Sequence, residues 1–203
     1  MMLSATQAII SEITQNRREK MNKIELGWID LSDKVVVSDP CYNRDTWCMR
    51  QDIPVLPGRY QVHIIMADEG EFGHRVASLV AVHEKYPITH QKQWRVVDEE
   101  IGVDSGQCGI FDDSAYPDLT DAAGREAFYD ECCNITLSKK QAGILHNGKG
   151  ALSSSGYGDG SYRLSGVSHR SEYVALMLDY SLASKRAIME LLVAEQGPAA
   201  VDK

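Results

Sequence analysis

Two apolar runs at residues 58–67 and 75–84 constrain this chain more than any other feature. Tyr60, Val62, Ile64 and Met66 recur at every second position and so fall on one face of an extended strand. Val76, Val80 and Val82 are predicted to lie opposite them on a returning strand. The polar and glycine-rich connection Asp68-Glu69-Gly70-Glu71-Phe72-Gly73 supplies the turn. A period of two puts half of a helix's apolar residues into water, so this region reads as an antiparallel hairpin at the centre of a β core.

Other segments extend the same pattern. Ile24, Leu26 and Trp28 alternate, and the β-branched run 34–38 stops at Asp39-Pro40, where proline removes a donor. Residues 99–112 read as strand, glycine-rich turn and strand, and residues 172–180 as a strong strand. Asp159-Gly160, flanked by Tyr157 and Tyr162, carries a tight hairpin-turn signal. Helices are predicted at 4–20, behind a Ser4 cap, and at 120–133. The second is capped near Asp118 or Thr120 and carries Phe128 and Cys132 on one side. A last helical stripe, Ala187, Ile188, Leu191 and Leu192, ends at Gly197-Pro198. The predicted fold is mainly β (α+β), an antiparallel β-sandwich or barrel-like core with peripheral N-terminal, middle and C-terminal helices. Residues 1–21 form a helical extension, 22–196 a single β-rich domain, and 197–203 a flexible tail. Met1 and Met21 both serve as candidate start residues.

Length and charge narrow the function classes. At 203 residues the chain builds one good core. No apolar run approaches a membrane span, and no secretory signal is visible. A net charge of −8, spread along the chain, repels phosphate backbones, so nonspecific nucleic-acid binding is not expected. The five cysteines are odd in number, which favours free thiols in a reducing, cytoplasmic compartment. A homo-oligomer fits these properties.

Five segments join glycine, acid, cysteine and aromatic residues: Asp39-Pro40-Cys41-Tyr42, Leu56-Pro57-Gly58-Arg59-Tyr60, residues 103–112 (VDSGQCGIFD), residues 128–133 (FYDECC) and residues 155–162 (SGYGDGSY). Taken in this order they resemble an uncharacterised domain-of-unknown-function family of bacteria and their phages. The resemblance covers about residues 34–180. It implies an accessory viral role, in the host cytoplasm where the chain is phage-encoded, and no specific activity. In that pattern the Val-Asp-x-Gly core and the later Phe-Asp are more characteristic than Cys108, which counts against a cysteine nucleophile.

Three chemistries are open to these residues. Asp104, Asp112, Asp130 and Glu131 are hard oxygen donors of the kind calcium or magnesium takes, although their spacing matches no EF-hand loop. Each acid equally suits a cap on its own turn. Gln107-Cys108-Gly109 is similar to the glutamine and cysteine of papain-like proteases, and a catalytic Cys108 needs a neighbouring base. A small buried thiol explains the same residues. The 153–160 loop has the composition of an anion cradle without the P-loop ending. The leading expectation is a non-enzymatic binding protein. The loops around Asp104, Gln107, Asp112 and Asp159 would gather at one sheet end around a small molecule, a nucleotide-like signal or a protein, with Arg59 and Tyr157 as further ligand-binding candidates. The alternatives are a hydrolase assisted by a divalent cation on the four carboxylates, and a structural or protein-interaction module.

Overall fold

The structure, a computed structural model, describes residues 21–89, 93–118 and 120–193. Eleven strands run in chain order among these residues: β1 (Met21–Leu31), β2 (Lys34–Ser38), β3 (Arg50–Pro54), β4 (Gly58–Asp68), β5 (His74–His83), β6 (Arg95–Val103), β7 (Gln107–Asp112), β8 (Ala142–Ile144), β9 (Gly150–Ser154), β10 (Gly160–His169) and β11 (Glu172–Asp179). Two helices accompany them, α1 (Ala122–Thr136) and α2 (Lys185–Val193). The predicted helix at 4–20 and the Gly197-Pro198 stop lie outside the described residues. No helix among the described residues is long and apolar enough to cross a membrane.

The strands form two antiparallel sheets, ordered β1-β4-β5-β11-β10-β6 and β3-β2-β7-β9-β8. Each sheet keeps two distinct edge strands, so the fold is a β-sandwich and not a closed barrel. Their inner faces share one core, with Ile29, Val37, Tyr60, Val62, Ile64, Leu79, Ile110 and Leu176 fully or almost fully buried. The outer face of the six-stranded sheet is apolar too. Ile65, Val80, Val174 and Met177 pack there with Ile188 and Leu192 of α2. On the outer face of the five-stranded sheet, Phe111, Tyr116 and Phe128 of α1 form a ring cluster with centroids 5.2–5.6 Å apart. Tyr180 crosses between the sheets, its hydroxyl 3.1 Å from Ser153 Oγ.

The central hairpin forms as predicted, but its faces differ. Tyr60, Val62, Ile64 and Met66 point into the shared core opposite Ala81, Leu79 and Val76. Val80 and Val82 belong to the outer face. The register shifts between Ile65 and Met66, where Ser78 and Val76 are the successive partners, so Ala77 is an extra residue and the parity of β5 reverses. Both faces of this sheet are buried, so the apolar run of β5 does not reveal which residues face inward. β1 behaves alike: a bulge at Leu26 leaves Ile24, Leu26, Ile29 and Leu31 on the inner side and turns Trp28 outward. Residues 155–160 are not a hairpin turn. β9 and β10 lie in different sheets, and the segment is a corner between them. The cap of α1 is Asp121, whose side chain accepts from Gly124 N–H at 2.9 Å, and not Asp118 or Thr120.

Candidate functional site

The end of β2 carries a buried carboxylate. Asp39 has no exposed surface, and both of its oxygens are fully engaged. Oδ1 accepts the Cys41 N–H at 2.9 Å and the Ser105 hydroxyl at 2.6 Å. Oδ2 accepts the N–H groups of Asp104 and Ser105 at 2.9 and 2.7 Å. Four donors satisfy the charge that burial would otherwise penalise. They make Asp39 a tie between separate segments of the chain. The 104–106 turn, which carries β6 of one sheet into β7 of the other, is thereby fastened to the end of β2. Gly106 allows the corner because it adopts φ +69°.

A second knot lies beneath. The Tyr116 hydroxyl contacts the Tyr42 carbonyl at 2.8 Å, the Asp39 carbonyl at 3.1 Å and Ser38 Oγ at 3.2 Å. Arg44 reaches back to the carbonyls of Asp113 and Tyr116 and to the Asp113 carboxylate. Gln107, buried at the start of β7, anchors α1: its amide oxygen accepts from Thr136 Oγ1 at 3.0 Å, and its Nε2 donates to Cys133 Sγ at 3.5 Å. Gly102 takes part by having no side chain. A Cβ there would sit 2.8 Å from Cys48 and 3.4 Å from the Tyr42 hydroxyl.

These ties frame an open cleft of about 450 Å³ between the turn after β2 and the first half of α1, lined among others by Pro40, Cys41, Tyr42, Arg125 and Tyr129. Burial pushes the Cys41 thiol up to about 12, with the Asp39 carboxylate adding to the effect. Burial, joined by Cys48 and Asp104, raises the Tyr42 phenol, and burial is also the main cause of the raised Tyr129 phenol. At neutral pH the cleft thus presents a neutral thiol and two neutral phenols, with Arg125 and Glu126 as its charged groups.

The residues expected from the sequence divide between two ends of the sandwich. Asp104 and Gln107 lie at the Asp39 end, Asp104 exposed and Gln107 buried. Tyr157 and Asp159 are on the adjoining corner, where the Ser155 N–H donates to the Gly106 carbonyl at 3.0 Å. Tyr157 itself turns away, its hydroxyl donating to Glu69 and its ring beneath Arg75. Arg59 and Asp112 are at the opposite end. Asp112 closes β7, about 17 Å from Gln107 at the usual strand rise, and accepts from Ser32 and Ser114. Arg59 stands opposite Asp30 of β1 in the strand register and stacks over Trp28 at 4.8 Å. Of the four loop residues expected at one sheet end, Asp104, Gln107 and Asp159 lie at the same end and Asp112 lies at the other.

The four carboxylates weighed as cation ligands are also dispersed. Asp104 and Asp112 occupy opposite ends, and Glu131 of α1 accepts from the His146 N–H and Nδ1 at 2.5 and 2.6 Å. Among the described residues, no group of three or more His, Cys, Asp or Glu side chains is placed to hold a metal ion. Cys108 lies fully buried in the shared core, and burial holds its thiol well above the usual range. No family model, curated protein or solved structure matches this chain.

Three of the five motif segments do converge here, those containing Asp39, Asp104 and Tyr129. A fourth, at 155–162, buttresses them from the adjoining corner. The Leu56–Tyr60 segment does not: it is a structural corner at the far end, where the Tyr60 hydroxyl donates to the Leu56 and Tyr173 carbonyls. Sequence reasoning passed over Asp39, Ser105, Tyr42, Arg125 and Tyr129 as individual residues. The acid before Pro40, at the end of a buried β-branched strand, was the available signal for the first of them.

Proposed function

We propose that this chain is a non-enzymatic binding protein that holds a small molecule in the cleft between Pro40–Tyr42 and α1. One observation carries the reading: a cleft lined by tyrosine and proline is braced by a carboxylate with four hydrogen-bond donors. A preformed site loses little freedom when it is filled. The protonated thiol and phenols further favour binding over covalent chemistry, because a nucleophile needs the deprotonated form. A hydrolase relying on Asp104, Asp112, Asp130 and Glu131 is the weaker reading, since those side chains do not converge. The motif resemblance adds a biological setting to the proposal, a phage accessory protein that sequesters a host signal.

Native mass spectrometry of freshly purified protein, followed by a small-molecule screen read by thermal shift, tests this reading. The expected result is a bound or stabilising molecule whose effect is lost in Tyr129→Leu and Tyr42→Leu. Hits that stabilise these variants as well as the wild type place binding elsewhere and overturn the assignment.

A further inference from the structure

We infer that the cleft takes a ring-bearing small molecule with a single anionic group, its anion held by Arg125 and its ring lying among Tyr42, Tyr129 and the two prolines. This rests on the reading of the cleft as the ligand site and adds the chemical class of the ligand.

The argument starts from the fates of the arginines. Arg44 and Arg50 pair with Asp113 and Asp98, Arg59 and Arg75 lie over aromatic rings, and Arg163 and Arg186 pair with glutamates. Arg95 and Arg170 stand exposed in solvent. Among the described residues, Arg125 alone combines partial burial with a guanidinium engaged by no carboxylate, carbonyl or ring, and it lines the cleft. A guanidinium that lines a cleft without a protein partner has all of its N–H donors free for an anion. The guanidinium fork fits the planar oxygens of a carboxylate or a phosphate with two parallel hydrogen bonds.

The surroundings limit the anion. Glu126 lies on the same wall, and the chain as a whole carries a net charge of −8. Both repel a polyanion, so one anionic group beside Arg125 is favoured over a triphosphate. The rest of the lining is suited to a ring. Pro40, Pro117, Tyr42 and Tyr129 offer flat ring surface. A volume of about 450 Å³ accommodates a molecule the size of a mononucleotide or an aromatic acid.

The test is isothermal titration of the full chain with AMP, ATP, adenosine and indole-3-acetate, using wild type, Arg125→Gln, Arg125→Lys, Tyr129→Leu and, as a control, Arg170→Gln. AMP, indole-3-acetate or both are expected to bind at least ten-fold more tightly than adenosine, and AMP more tightly than ATP. Arg125→Gln is expected to erase that ten-fold advantage, Arg125→Lys to restore part of it, and Arg170→Gln to change nothing. Binding of AMP alone identifies a phosphate as the anion, and binding of the aromatic acid alone identifies a carboxylate. If adenosine binds as well as AMP, and Tyr129→Leu abolishes both while Arg125→Gln affects neither, the cleft stands and the anion role falls. Absence of binding by every probe overturns the ligand class. Binding indifferent to both Tyr129→Leu and Arg125→Gln overturns the site as well. Circular dichroism melts of each variant confirm that the comparison is made on folded protein.

Discussion

Asp39 and Ser105, separated by 66 positions in the chain, are joined twice: the Ser105 hydroxyl donates to Oδ1 at 2.6 Å and its N–H to Oδ2 at 2.7 Å. The pair fastens the end of a strand in one sheet to the corner that leads out of the other. Removing the carboxylate strands three backbone N–H groups and a hydroxyl in a buried place. Asp39→Ala is expected to cost about 3 kcal/mol and Ser105→Ala about 1 kcal/mol in urea unfolding. The double variant is expected to cost less than the sum, because the two changes remove the same bond. Strict additivity would show that the two side chains are not coupled.

Cys41 is half-buried, yet its thiol is held at about 12 by burial first and by Asp39 second. At pH 8 only about one molecule in ten thousand then carries the thiolate. Labelling of native protein with a disulfide reagent, followed by peptide mapping, is expected to leave Cys41 unmodified. Asp39→Asn, which removes the neighbouring negative charge, is expected to speed its labelling. Rapid modification of wild-type Cys41 at pH 8 would contradict the assigned environment.

Asp112 gives the fold an acid-sensitive element. Burial works against its charged form, but hydrogen bonds from Ser114 and Ser32 outweigh burial and leave its carboxyl below the ordinary value of 3.8. A depressed folded value means that the unfolded chain takes up the proton first. The stabilisation from this group is therefore complete above the unfolded value and is lost as pH falls through the folded one. Asp112→Asn is expected to lower stability by about 1 kcal/mol at pH 7 and to flatten the decline between pH 4 and pH 2. An unchanged acid limb would show that Asp112 does not drive it.

Gly58 explains the Leu56–Tyr60 segment in structural terms. It adopts φ +150°, and an added Cβ would stand 2.6 Å from Nε2 of the buried His83. Gly58→Ala is expected to cost about 2 kcal/mol or more by thermal unfolding, through backbone strain and overpacking. Because this corner is at the far end of the sandwich from the cleft, the labelling of Cys41 is expected to stay as slow as in wild type.

The sequence by itself pointed to β1, β2, β4, β5, β6, β7 and β11 and to the class of fold, while β3, β8 and β9 were not read from it. Alternation in 58–67, the β-branched run at Val35–Val37 and the Asp39-Pro40 stop are local signals, fixed by side-chain period and by the missing proline donor. The burial of Phe128 and Cys132 on one side of a helix was legible for the same reason. Tertiary structure alone decided the rest. Whether Val80 faces in or out depends on one bulged residue in a sheet buried on both sides. Whether 155–160 turns back on itself or crosses to another sheet depends on the partners of β9 and β10. The partners of Asp39 are a neighbouring thiol segment and a turn 65 residues onward, and the cleft exists only where they meet α1. Spacing along a chain encodes the faces of a strand, but it does not encode which strand ends become neighbours, because pairing between distant strands is settled by the packing of the whole core.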